Sequence, residues 1–100
     1  MKKLNITYIG IGTNLGNKPN NIRLAYQYIQ LNIGNITRKS KIYKSPPWGF
    51  ESTEDFYNSV IEVNTFLEPE LLLDELQKIE KLLGKKQTFN IGYSSRLIDL

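Results

Sequence analysis

The sequence predicts one α+β domain with the element order β-α-β-β-α-β. Three observations predict it. Leu4 to Ile11 is short, rich in strand formers and closed by glycines, the mark of a buried strand. The segments after Pro19 and Pro69 carry apolar residues at helical spacing, and proline in a first helical turn costs no internal hydrogen bond. Between them lie two strand-like runs separated by Pro46-Pro47.

After the first strand, Gly10-Ile11-Gly12-Thr13-Asn14-Leu15-Gly16 turns the chain. Asn17 is a suitable cap ahead of Pro19. Ile22, Ala25, Tyr28 and Ile29 form the apolar face of the first helix, with Leu24 on its flank, and Gly34 is expected to end it. Ile36 to Lys44 is the second strand, anchored by Ile42 and Tyr43. Ser45-Pro46-Pro47-Trp48-Gly49-Phe50 is a loop, because two prolines cannot donate to a central ladder. Phe56 to Phe66 is the third strand, with Val60, Ile61 and Val63 at its middle.

Glu68-Pro69 opens the second helix, whose stripe is Leu72, Leu76, Ile79 and Leu83, and Gly84 is its expected cap. Lys85 to Ser95 reads as a polar loop with isolated aromatics. Arg96-Leu97-Ile98-Asp99-Leu100 begins a fourth strand, cut short where the sequence stops. This order suggests a ferredoxin-like arrangement, two helices on one face of an antiparallel sheet. Such a fold implies no function by itself.

One hundred residues fit a single domain, expected to span 1–100. A chain of that size buries roughly 60–70% of its unfolded surface. It has no cysteine and no histidine, which excludes disulfides, thiolate metal sites, a Ser-His triad and a histidine base. Any catalysis must come from Lys, Arg, Asp, Glu, Tyr or the backbone. The net charge of +3 suits an anionic small molecule or weak nucleic-acid contact without deciding between them. Met1-Lys2-Lys3 opens like a signal sequence, but Asn5, Gly10, Gly12 and Asn14 break up the apolar stretch after it, so a mature cytosolic start is expected. No run approaches the roughly 20 apolar residues of a membrane span.

Four places could carry chemistry. The glycine turn would let backbone N–H groups approach a phosphate, or it is simply a tight strand-to-helix connection. It matches neither the dinucleotide fingerprint, since Leu15 stands in the third glycine's place, nor a P-loop. Trp48, Phe50, Phe56 and Tyr57 flank one loop and could sandwich a flat heterocycle, with Asn58 offering both a donor and an acceptor to a ring edge. The alternatives are Phe56 in the core, Trp48 on the surface, or a Pro-Pro-Trp ligand for another protein's groove. Gln77 and Glu80 share a helix face and could read a base edge and a ribose hydroxyl, or be solvated boundary residues. Arg96 and Asp99 stand on the last strand. An Asp-x-Asp pair would aim two carboxylates at one magnesium; the sequence supplies the first, and a lone terminal Asp is otherwise a surface charge.

Taken in order, these motifs resemble the hydroxymethyldihydropterin pyrophosphokinase family. Gly10-Ile11-Gly12-Thr13-Asn14-Leu15-Gly16 is similar to its opening strand and turn, and Tyr43-Lys44-Ser45-Pro46-Pro47-Trp48-Gly49 to its second loop. Asp55-Phe56-Tyr57-Asn58 resembles its Asp-Phe/Tyr-x-Asn segment. Gln77, Glu80 and Gly84 match the spacing of its nucleotide helix, and Arg96-Leu97-Ile98-Asp99-Leu100 the start of its Arg-x-x-Asp-x-Asp signature.

The resemblance implies attack of a pterin hydroxymethyl oxygen on the β-phosphorus of ATP, with AMP leaving. Ser45, Pro47 and Trp48 would line the pterin loop, Phe56 would stack on the ring and Asn58 would bond its edge. Gln77 and Glu80 would contact the nucleoside, Arg96 with Lys85 would act on the phosphates, and Asp99 would bind magnesium. The complete enzyme is expected to use two Mg2+ ions with ATP as co-substrate. It is expected to be a cytoplasmic monomer with no nucleic-acid or membrane partner.

Three positions depart from the family pattern. Lys85 stands for an arginine and loses its bidentate fork. Gly92 stands for a basic residue, and Ser94 for Gly or Ala, with Tyr93 between them. With the second carboxylate missing, these hundred residues are expected to turn over poorly. Two other function classes compete. A ferredoxin-like RNA module would need a Lys/Arg-Gly-Phe/Tyr-Gly/Ala-Phe run, where Ser59-Val60-Ile61-Glu62-Val63 stands instead. A ligand-binding domain would hold pterin without turnover.

Overall fold

Burial alternates along the first strand. In the computed structural model, Thr7, Ile9, Ile11 and Thr13 are buried, whereas Ile6 is 55% exposed and Tyr8 and Gly10 are partly exposed. The structure describes residues 3–14, 16–46, 55–83 and, for the backbone, 89–94. Its elements are β1 (Asn5–Thr13), α1 (Lys18–Asn32), β2 (Gly34–Lys39), β3 (Tyr43–Ser45), β4 (Phe56–Thr65), α2 (Pro69–Leu83) and β5 (Phe89–Ser94).

The sheet runs in the order β2-β4-β1-β5, with β3 also paired to β4, and each pairing is antiparallel. β1 covers one flank of β4 from Tyr57 to Thr65, so β2 and β3 share the other flank end to end. β4 alternates as β1 does: Ser59, Ile61, Val63 and Thr65 are buried, and Asn58, Val60, Glu62 and Asn64 are partly exposed. The buried faces of both central strands join the helix stripes Ile22, Ala25, Ile29 and Leu72, Leu76, Ile79 in one core. Each buried Ile, Leu or Val side chain is worth about 1.5–3 kcal/mol relative to exposure. The expected α+β architecture, with its two helices on one face of an antiparallel sheet, is what the chain adopts.

The helix starts follow local chemistry. Asn17 Oδ1 accepts from the Asn20 backbone N–H at 3.2 Å, capping α1. At its other end α1 stops at Ile33, whose N–H still reaches Ile29 O. Tyr26 on α1 shares a hydrogen bond with Ser59 on β4, fixing helix to sheet. Leu83, the last residue of the expected α2 stripe, is half-buried, and Gly84 lies outside the described residues.

Three expectations need correction. Gly34 does not cap α1; it opens β2. A Cβ there would lie 2.1 Å from Asn64 O, so glycine is needed for close approach to β4. The second strand is not continuous from Ile36 to Lys44. Its register shifts between Ile36 and Arg38, and it breaks at 40–42, where the Ser40 side chain takes over by accepting from Val60 N–H at 2.9 Å.

Finally, the last described strand is Phe89–Ser94, inside the segment expected to be a loop, and it pairs with Tyr8–Thr13. The period-two alternation of Phe89, Ile91 and Tyr93 with Asn90, Gly92 and Ser94 is the signal for it. Arg96–Leu100, expected to start that strand, lies outside the described residues. Among the described residues no helix is long and apolar enough to cross a membrane.

Candidate functional site

Four strand ends meet at one edge of the sheet. Thr13 closes β1, Ser45 closes β3, Phe56 opens β4 and Phe89 opens β5. The pairing sets Ser45 opposite Phe56, Tyr43 opposite Asn58, and Gly12 opposite Asn58 from the other side. Three of the expected pterin residues, Ser45, Phe56 and Asn58, are therefore neighbours, although 13 positions separate Ser45 from Asn58.

Asn58 is the centre of this cluster. Its Nδ2 donates to Ser45 Oγ at 2.9 Å and lies 3.3 Å from Tyr43 O and 3.4 Å from Phe56 O. The side chain points away from the helices, on the same face as Tyr8 and Glu62, as the alternation of β4 requires. Beside it β1 offers only glycine: Gly12 faces Asn58, and Gly10 faces Val60 in β4 and Gly92 in β5. A Cβ on Gly10 would meet nothing within 4 Å. At this corner β1 sets backbone without side chains beside Asn58 of β4.

The glycine-rich segment is thus mostly strand. Gly10 and Gly12 belong to β1, and Gly16 makes the turn, with φ +72°. Such a φ favours glycine. Asn21 Nδ2 donates to Thr13 Oγ1 at 3.2 Å, tying the strand end to α1.

Tyr57, between Phe56 and Asn58, gathers two cations: Lys18 Nζ stands 5.2 Å and Lys44 Nζ 5.5 Å from its ring centroid. Sequence reasoning counted Tyr57 among the loop aromatics without finding these partners. They come from α1 and β3, and only the pairing brings them together.

The nucleotide residues sit elsewhere. Gln77 is exposed and Glu80 half-buried on α2, which packs on the helix-bearing face of the sheet, opposite the face that carries Asn58. The described structure does not bring them to Asn58. Pro47, Trp48, Lys85, Arg96 and Asp99 lie outside the described residues. Among the described residues no three His, Cys, Asp or Glu side chains are grouped to hold a metal. A groove of about 480 Å³ between α1 and β2, lined by Tyr26, Gln30, Leu31, Ile36 and Lys39 among others, holds none of the expected site residues.

The face carrying Asn58 has a second polar cluster. Tyr8 donates to Glu62 Oε2 at 2.9 Å and Thr37 donates to Glu62 Oε1 at 2.8 Å. The Thr37 hydrogen bond, then that of Tyr8, holds the Glu62 carboxyl below its usual pKa. In return, the bond to Glu62 raises the Tyr8 phenol.

The family model for 7,8-dihydro-6-hydroxymethylpterin-pyrophosphokinase matches residues 8–100. The chain belongs to this pyrophosphokinase family. It is 36% identical over 96 residues to a 2-amino-4-hydroxy-6-hydroxymethyldihydropteridine pyrophosphokinase of Porphyromonas gingivalis, covering 95% of this chain and 65% of that one. It is 34% identical over 93 residues to the same-named protein of Aquifex aeolicus, covering 93% and 58%.

Its fold resembles the crystal structure of Plasmodium falciparum HPPK-DHPS, with a TM-score of 0.79 at 17% identity, over 93% of this chain and 29% of that one. The chain spans 57–65% of the length of the curated pyrophosphokinases from P. gingivalis, A. aeolicus and Bacillus subtilis. Within this pyrophosphokinase frame, Gly92 of β5 faces Gly10 of β1.

Proposed function

We propose that this chain is the larger part of a single pyrophosphokinase domain, its C-terminal part missing, and that it binds 6-hydroxymethyl-7,8-dihydropterin at the Ser45–Phe56–Asn58 corner. In the whole protein, that site serves pyrophosphate transfer from ATP in folate biosynthesis. The carrying observation is the Asn58 amide, fixed among Ser45, Tyr43 and Phe56 beside a glycine floor, in a chain of this family.

In this reading Phe56 stacks on the pterin ring, Asn58 bonds its edge, and Ser45, Pro47 and Trp48 close the pocket. Gln77 and Glu80 contact the nucleoside, and Lys85 and Arg96 meet the phosphates. The hydroxymethyl oxygen attacks the β-phosphorus of ATP, and AMP leaves. Such a transfer depends mainly on positioning and charge neutralisation, which suits a chain with no histidine. Magnesium would neutralise phosphate charge; Asp99 is its proposed carboxylate ligand, and the described residues add no other metal group. The protein is proposed to act as a cytoplasmic monomer.

Calorimetric titration of the pterin alcohol into the chain, with and without magnesium-ATP, tests the binding part. Saturable binding that nucleotide tightens is expected. No heat of binding up to millimolar pterin overturns the reading. AMP release with and without pterin then measures the transfer.

A further inference from the structure

We propose that the groove between α1 and β2 docks an acidic peptide segment of a partner protein, one with large apolar side chains beside a run of carboxylates. The groove holds none of the pterin or nucleotide residues, and the inference does not rest on the pterin reading.

The charge follows from a segregation along the chain. Residues 1–50 hold eight of the thirteen Lys and Arg and none of the ten Asp and Glu. The fold brings much of that half together, because α1 packs on β2, and β2 and β3 share one flank of β4. Arg23, Arg38, Lys39, Lys41 and Lys44 are all exposed there. Glu62, opposite Arg38 in the ladder, is bonded to Tyr8 and Thr37. A surface of one sign concentrates ligands of the other.

The groove supplies the apolar half. Its volume is about 480 Å³, and Tyr26, Gln27, Gln30, Leu31, Ile36 and Lys39 line it. Leu31 is 80% exposed, whereas Tyr26 and Ile36 pack against the core. Lys39 Nζ stands 4.7 Å from the Tyr26 ring centroid, and Arg23 precedes Gln27 by one turn on the same helix face. Because β2 runs back along α1, the groove is apolar toward their connection, at Leu31 and Ile36, and cationic at its other end. A peptide that is apolar and then acidic matches that order.

Two simpler accounts leave something over. Lysines on an edge strand guard it against pairing, as does the register shift of β2, but neither accounts for the exposed leucine beside them. A nucleic-acid strand would use the cations and gain little from Leu31 and Ile36. The Tyr26 ring already carries Lys39, and its hydroxyl is bonded to Ser59, so it is not free to stack on a base.

Fluorescence anisotropy tests the proposal with the labelled peptide Gly-Leu-Phe-Glu-Glu-Asp-Glu, its equally charged counterpart Gly-Ser-Ser-Glu-Glu-Asp-Glu, and labelled oligothymidylate. The first peptide should bind saturably, and more weakly as salt rises. The Ser-Ser peptide should bind about tenfold less tightly, as should the first peptide to Leu31→Ser, because each loses the buried apolar contact. Lys39→Glu should weaken binding and flatten its salt dependence. Leu31 and Lys39 are exposed, so both variants should keep the fold, which circular dichroism checks. Equal binding of the two peptides, or full affinity in Leu31→Ser, overturns the groove and leaves diffuse charge alone. Tighter binding of oligothymidylate than of the first peptide overturns it in favour of a nucleic-acid surface. No saturable binding of the first peptide up to millimolar concentration overturns it outright.

Discussion

Tyr8 on β1 and Glu62 on β4 stand opposite each other in the ladder, and the phenol donates to the carboxylate at 2.9 Å. Thr37, at the register shift of β2, donates to the other oxygen. One carboxylate thus bonds side chains from the strands on both flanks of β4, on the face without helices.

The pH dependence of stability is set in part by this pair. The folded pKa of Glu62 is lowered, first by Thr37 and then by Tyr8. Its contribution is present above the unfolded carboxyl value, about 4.3, and is lost as pH falls through the folded value. The folded pKa of Tyr8 is raised, so its contribution holds below about 10 and is lost as pH rises beyond that. Thermal melts from pH 7 to pH 3 should show a loss that Glu62→Gln makes shallower. An equally steep acid limb in Glu62→Gln would remove Glu62 as its source.

Gly34→Ala should destabilise the chain without touching the corner at Asn58. The new Cβ would overlap Asn64 O at 2.1 Å, so the start of β2 must move from β4. A cost of about 1–3 kcal/mol is expected, as for other overpacked positions. At about 4–8 °C per kcal/mol for a chain of this size, the melting temperature should fall by at least roughly 4 °C. A melt unchanged within a degree would contradict the close approach.

Leu76→Ala tests the core. Leu76 is 1% exposed, on the α2 stripe between Leu72 and Ile79. Large-to-small changes at such sites cost about 2–5 kcal/mol, a large share of the stability of a small domain. Denaturant melts should show a lower midpoint at an unchanged slope.

Phe56 is predicted to act through its ring. It is half-buried at the start of β4, so the fold should survive its replacement. Phe56→Ala should weaken pterin binding about tenfold, from lost stacking and lost apolar contact, and Phe56→Tyr should keep it. Calorimetry on both variants checks this, and equal affinity in Phe56→Ala would place the pterin elsewhere.

Much of the fold was legible because it is local. The Asn17 cap and the stripes Ile22–Ala25–Ile29 and Leu72–Leu76–Ile79 depend on residues a few positions apart, and the helical period reports them directly. β1 and β4 were legible for the same reason. β5 had a readable alternation, yet its glycine and asparagine made it look like a loop.

The corner around Asn58 was legible only in part. Residue types and motif order marked Ser45, Phe56 and Asn58 as members of one site. That Asn58 gives its Nδ2 to Ser45 was decided by the β3–β4 register. The same pairing set Lys44 on Tyr57, while α1 supplied Lys18.

By itself, then, the sequence determined both helices and the two central strands, since periodicity and caps are properties of the chain. The tertiary structure decided which side-chain atoms face one another and why Gly34 must be glycine. Those depend on pairing between strands far apart in sequence, where a one-residue slip turns every side chain to the other face.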